Sequence, residues 1–446
     1  MKKSLSVLLA VLFVFSLLLT ACSTTKQEPT AVPTVAEPAA TEAEPAAEEP
    51  TAAVEEKSDG SKVTVTWWHT FTEGQKDTLE SIIAEFNAAH DDIEVVAESQ
   101  PLDGFEAKVY EAVSNGTGPD IIFNYASLMP EYVDNGLAPD ISKYLSTDYK
   151  SRVPAGVYDE DTAFSDKGLH AIAVQTTGPI FFYNKTIFDE LGLECPKTWD
   201  DVTEASKKIY EAKGIPGFAF DSLTDGFQSL LLQSGGEYVD IENHKVLFNT
   251  PEFEAIVTWF ADGVKAGYFG LAPTTGNYFS NDMGAKALAS YVGSSAGLPY
   301  LNLGEDELAA APMPKTADGV DWVPGWNRSA LVFASNPAQE KAAVEFIEFF
   351  TNPENAAKWA ISLVAFTPYK DAAELPEFQE FVSGNIALTA LGQQLDYAHV
   401  LPAFTGANTV RDEIKFLVQR AASGQMTPAE AIAEAVANCE EAMNEN

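Results

Sequence analysis

The spacing of apolar residues changes along the chain, and each change marks an element. Val63-Thr64-Val65-Thr66-Trp67 alternates apolar and polar positions, as a half-buried strand does. Leu79, Ile82, Ile83 and Phe86 then recur at helical spacing and form one apolar stripe. Ile93-Glu94-Val95-Val96 predicts a second strand and Phe105 to Val113 a second helix. Asp120-Ile121-Ile122-Phe123 predicts a third strand, apolar on both faces and so covered on both. Strand–helix–strand–helix–strand at this spacing predicts right-handed crossovers and a parallel, doubly wound α/β sheet. Ligands of such sheets sit at the carboxyl ends of the strands, here Trp68-His69-Thr70 and Asn124-Tyr125.

A second lobe begins after Gly178-Pro179 with the apolar strand Ile180-Phe181-Phe182-Tyr183. Thr198-Trp199-Asp200-Asp201 has the form of a capping box opening a helix through Ile209. Phe253 to Val264 reads as a helix, Ala287 to Val292 as a strand, and Leu331-Val332-Phe333 as the start of a strand–helix unit. Asn352-Pro353 and Thr427-Pro428 each place a capping side chain before a proline at the first helical position. No internal repeat stands out.

Charge narrows the partners. The 446 residues carry 27 basic and 66 acidic side chains, a net charge of −39. A phosphate backbone needs a basic surface, so a nucleic-acid partner is not expected, and neither is electrostatic adhesion to anionic lipid. Lys2, Lys3 and an apolar run from Leu5 to Leu19 precede Leu19-Thr20-Ala21-Cys22. A run this short suits a signal peptide rather than a permanent span. A cysteine after small residues resembles the bacterial lipoprotein box, so Cys22 is expected to be acylated after residues 1–22 direct export. Residues 23–62, rich in Pro, Ala, Thr and Glu, read as a disordered acidic spacer. Residues 63–446 hold 22 basic against 57 acidic residues, so the folded body is acidic in its own right, at −35. Cys195 and Cys439 could pair after export or remain free thiols.

Candidate chemistry is sparse. The five histidines form no metal-ligand spacing and no Gly-rich phosphate loop follows a strand, so neither cofactor nor metal is expected. Gly293-Ser294-Ser295-Ala296-Gly297 follows a strand and matches a nucleophile elbow, with Asp396 and His399 downstream in the order of a hydrolase triad. The same residues could instead offer hydroxyls and free N–H groups to a polar ligand at a helix start, or simply cap it. Trp67, Trp68, Phe105, Tyr125, Trp322, Trp326, Phe366 and Tyr369 fall near strand ends and loops, where flat rings suit the C–H faces of a sugar. Core packing is the competing role, above all for Trp67, whose parity matches Val63 and Val65.

Several stretches together resemble the extracellular solute-binding proteins of family 1, the sugar-binding subunits of bacterial ABC importers. They are Trp68-His69, Gly118-Pro119-Asp120-Ile121, Phe182-Tyr183-Asn184-Lys185 with Pro196 to Asp201, Glu345 to Glu354, Leu401 to Thr405 and Gly424 to Pro428. Within that family the chain looks most similar to the glycerol-3-phosphate and glycerophosphodiester binders. The resemblance implies a periplasmic-binding-protein fold: two doubly wound α/β lobes, residues 63–174 with 318–366 and residues 178–313 with 370–446. Crossover hinge segments near Gln175–Gly178, Pro314–Val320 and Phe366–Tyr369 join them around a ligand cleft. It further implies a receptor without catalysis, monomeric and lipid-anchored outside the cytoplasm, that closes on its ligand and docks on a membrane permease.

Departures from the subfamily bear on the ligand. Tyr125 is followed by Ala126 rather than a glutamate, and Gly406-Ala407-Asn408 stands in place of a glycine-rich arginine segment. Phe105 and Phe366 replace tyrosines, and Asn327-Arg328 replaces a Gly-Gly. These losses favour a neutral sugar or small oligosaccharide, with a glycerol-phosphate ligand as the alternative. Arg328 could fork onto a phosphate or pair with one of the many surface carboxylates. The expected contacts are His69, Glu73 and Phe105 from the first lobe, then Tyr125, Gln175 and Thr177 near the first crossing. Ser294 and Ser295 come from the second lobe, and Trp326, Asn327, Arg328 and Phe366 from the late segments.

Overall fold

The computed structural model describes residues 62–444 apart from 103, 277, 334 and 335. The expected signal peptide, Cys22 and all of the expected spacer but Lys62 lie outside the described residues. Strands β1 (Val63–His69), β2 (Ile93–Ser99), β3 (Ile121–Tyr125) and β4 (Ala171–Thr177) come first. Then follow β5 (Pro179–Asn184), β6 (Phe218–Phe220), β7 (Phe269–Gly270), β8 (Ser290–Ser294), β9 (Leu308–Pro312) and β10 (Trp326–Val332).

The first sheet runs β2-β1-β3-β10-β4 and the second β9-β5-β8-β6-β7. β1, β2 and β3 are parallel, as their helical crossovers require. The purely parallel sheet expected from the pattern is not kept, however. β10 returns from the second lobe and slots antiparallel between β3 and β4. The second sheet is mixed too: β8 pairs antiparallel with β5 and parallel with β6. Mixing arises because the chain enters and leaves each lobe at the same end.

Local signals place the helices. The Thr198 hydroxyl accepts from the Asp201 N–H while the Asp201 carboxylate accepts from the Thr198 N–H, so helix Trp199–Lys213 opens on a full capping box. Asn352 caps helix Pro353–Leu363, and Thr427 with Glu430 closes the start of Pro428–Asn444. Trp67 is fully buried, packed on Phe123 and Phe350, as its parity in β1 predicts.

Each sheet has its own apolar core. Trp67, Phe86, Phe346 and Trp359 anchor that of the first lobe, while Phe181, Phe218, Phe227 and Phe260 anchor that of the second. The first core also takes in Tyr369, Ala372 and Phe378, so the segment after residue 370 begins on the first lobe, not the second. The middle crossing also shifts. Gln233 Nε2 donates to the carbonyls of Pro314 and Trp322, and Val320 N–H donates to the Gln233 carbonyl. A Cβ at Gly319 would stand 2.1 Å from that carbonyl oxygen, so only glycine fits against it. Residues 314–323 are thus fastened to the second lobe, and the chain passes between lobes near Gly325. Cys195 and Cys439 are both free.

Candidate functional site

β4 runs straight into β5 through Gly178, so the two sheets meet end to end. β3 and β4 finish at this junction and β10 starts there. From the other side come the ends of β6 and β8, because Ser294 lies opposite Pro179. A small cleft open to solvent lies between the lobes. Tyr125, Ser127 and Glu160 line it from the first lobe, Gly325 and Trp326 from the crossing, and Asp225, Leu401 and Arg411 from the second.

Strand register brings several expected residues together. Arg328 stands across from Tyr125 on one side and Gln175 on the other, and Trp326 across from Thr177. Tyr125, Ser294, Trp326, Arg328 and Phe366 are half-buried and retain free surface. Phe366 pairs through its backbone with Thr176 and packs on both lobes.

Others are committed elsewhere. His69 is 3% exposed and stacks on Phe71; its Nδ1 accepts from the Phe71 N–H at 3.2 Å. Burial, with Lys76 nearby, lowers its pKa, as suits a neutral core imidazole. Phe105 is buried with Val109 and Ile122, and Thr177 is 4% exposed beside the crossing. The Gln175 carboxamide oxygen accepts from Trp359 Nε1 at 3.1 Å, and Asn327 bridges Thr176 Oγ1 and Glu160. Glu73 is exposed at the start of its helix, with φ of +48°.

The nucleophile elbow fails on geometry. Ser295 is fully buried and its Oγ touches no hydrogen-bond partner, so no base activates it. His399 instead stacks on Trp322 with ring planes 3° apart. Ser294 accepts from the Ala296 N–H and caps the short turn that follows.

The three charged cavity residues, Glu160, Asp225 and Arg411, escaped the sequence reading. Asp225 Oδ1 lies 2.9 Å from Arg411 Nη2, and Ser222 Oγ donates to Asp225 Oδ2 at 2.6 Å. The Ser222-x-x-Asp225 cap was a legible signal; the partnership with Arg411, nearly 190 residues on, was not. Glu160 is the third. Its carboxylate accepts from Asn327 Nδ2 at 2.7 Å, beside Asp161, which Tyr149, Ser329 and the Ala173 N–H hold.

Burial, and then the Asp161 charge beside it, pushes the Glu160 pKa up to about 8. Above its ordinary pKa the unfolded chain has lost this proton while the folded one keeps it. Glu160 therefore costs stability progressively as pH rises from about 4.5 to 8, by a few kcal/mol at most. Glu160→Gln should remove that part of the pH dependence. Urea midpoints at pH 5 and pH 9 should converge in the variant relative to the parent; parallel losses in both would refute the assignment.

Comparison with known proteins follows the same lines. The chain is 23% identical to an arabinooligosaccharide-binding protein of Halalkalibacterium halodurans over 350 residues, 72% of this chain and 75% of that one. It is 22% identical to an sn-glycerol-3-phosphate-binding periplasmic protein of Pectobacterium atrosepticum, over 83% of this chain and 89% of that one. Among solved structures, an ABC substrate-binding protein from Listeria monocytogenes in complex with cycloalternan superposes with a TM-score of 0.76. That match has 19% identity and covers 86% of this chain and all of the other. Two lobes around one cleft and a match of residues 81–383 to the family model make the chain a member of the bacterial extracellular solute-binding proteins, which bind substrates outside the cytoplasm rather than transform them.

Proposed function

We propose that this protein captures a sugar or small oligosaccharide in the cleft between its lobes and delivers it to the permease of an ABC importer. The observation that carries the reading is the cavity itself, walled by the rings of Tyr125 and Trp326 and edged by polar groups from both lobes. Aromatic faces take the C–H surface of a pyranose while carboxyl, guanidinium and hydroxyl groups meet its hydroxyls. The names of relatives that bind arabinooligosaccharide and maltotriose support it. A ligand touching both lobes favours the closed form through contacts the open form lacks, and rotation about the three crossings would bring that closure. Lipid on Cys22 would tether the receptor, acting as a monomer, to the membrane that holds its permease.

Thermal unfolding of the full chain in detergent, against a panel of mono- and oligosaccharides, tests this. A ligand at 100 times its Kd adds about 2.7 kcal/mol and moves the midpoint by several degrees. No shift with any sugar would count against the reading. Trp326→Ala should weaken binding of the active sugar roughly tenfold or more, the size of a lost aromatic anchor. Calorimetric titration showing unchanged affinity would remove Trp326 from the site.

A further inference from the structure

The chain has four arginines, and carboxylates hold three of them. Arg152 meets Asp371 at 2.9 Å, Arg411 meets Asp225 at 2.9 Å, and Arg420 meets Glu413 and Glu434 at 3.3 and 2.6 Å. Of the four, only Arg328 has a side chain with no ion pair or hydrogen bond among the described residues, and its Nε is buried without a partner. In a body of 57 acidic against 22 basic residues, a carboxylate would be easy to supply.

The position of the group is as informative as its isolation. Arg328 lies at the cleft end of β10, in register with Tyr125, whose ring lines the cavity. The guanidinium carbon is 5.3 Å from the Tyr125 ring centroid and 5.7 Å from that of Phe71. Rings at this range attract the cation and hold its plane, yet leave its N–H groups without an acceptor. A buried donor without an acceptor costs free energy that a ligand oxygen would recover. The acids that line the neighbouring cavity do not compete for it. Asp225 is taken by Arg411, and Glu160, bonded to Asn327, keeps its proton at neutral pH.

We propose that Arg328 is an anion anchor, and that the captured sugar carries an oxyanion group, a carboxylate or a phosphate. This rests on the carbohydrate reading above and replaces the neutral ligand expected from sequence. A planar guanidinium accepts either group through two parallel N–H···O bonds, and the flanking rings pre-set its plane.

The test is calorimetric titration of the full chain and of Arg328→Gln with three probes: trigalacturonate, glycerol-3-phosphate and neutral maltotriose. At least one charged probe should bind more tightly than maltotriose. Arg328→Gln should weaken that probe roughly 10- to 100-fold while changing maltotriose less than threefold. Arg328→Lys, which keeps charge but loses the fork, should fall between, and added salt should weaken the charged probe in the parent more than in Arg328→Gln. The response to trigalacturonate against glycerol-3-phosphate separates carboxylate from phosphate. Maltotriose binding as tightly as the charged probes, with Arg328→Gln acting on all alike, overturns the anchor and leaves the sugar receptor standing. Binding of glycerol-3-phosphate alone, lost in Arg328→Gln, keeps the anchor but overturns the sugar. Failure of all three probes to bind overturns both.

Discussion

Trp359→Ala is expected to cost about 3–5 kcal/mol of folding stability, the range for removing a large buried aromatic. Trp359 is fully buried in helix Pro353–Leu363 and sits among three rings of the first core. Its centroid lies 4.8 Å from Phe71, 5.3 Å from Phe350 and 6.2 Å from Phe123. Truncation leaves a cavity that these rings cannot collapse into, since each is pinned by others. It also strips the donor from the Gln175 carboxamide, an acceptor only 5% exposed. Trp359→Phe keeps most of the volume and should cost about half as much. Urea unfolding with an unchanged m-value would measure both; a loss under about 1 kcal/mol for the alanine variant would show that the core is not closed around this ring. The effect should reach the site, because Gln175 stands in register with Arg328.

Asp225→Leu should be nearly as damaging. The side chains of Asp225 and Arg411 are 11% and 22% exposed, so the pair is largely out of water. Removing one member of such a pair costs about 3–5 kcal/mol, much of it the penalty of leaving the other charge buried and alone. Arg411→Met should cost a similar amount. The double variant should recover most of the loss, because two packed apolar side chains need no mutual compensation. A double-mutant cycle read by urea midpoints checks this. Additive losses would show that the two charges do not depend on one another, and would weaken the argument that Arg328 is the one guanidinium left for a ligand.

Much of the second prediction could not have come from the chain read in order. Asp225 carries a visible cap signal with Ser222, but nothing at residue 225 points to residue 411. Glu160-Asp161 is likewise an ordinary acidic pair until the fold sets it against Asn327 and Ser329. His69 and Phe105 show the reverse case. Both lie near strand ends or helix starts, where ligands gather, yet Phe71 covers the first and Ile122 packs on the second. Position along a strand predicts the right end of the sheet but not which side chains neighbouring loops will cover. Ser295 makes the same point for chemistry. Its motif specifies a turn after a strand, and the structure has that turn, but a nucleophile also needs a base within reach.

The sequence by itself determined the elements of this protein and the class to which it belongs. Period, caps and proline placement act within a few residues, so Thr198-Asp201, Asn352-Pro353 and the alternation through Trp67 specify their local structure without help from the rest of the chain. The order of such short signals along the chain carried the family. Only the tertiary structure decided that β10 runs antiparallel between β3 and β4, and that the middle crossing passes near Gly325. Only it decided which arginine would be left without a carboxylate. Those outcomes depend on groups more than a hundred residues apart meeting at one sheet end, where burial and charge are settled by neighbours the local pattern does not contain.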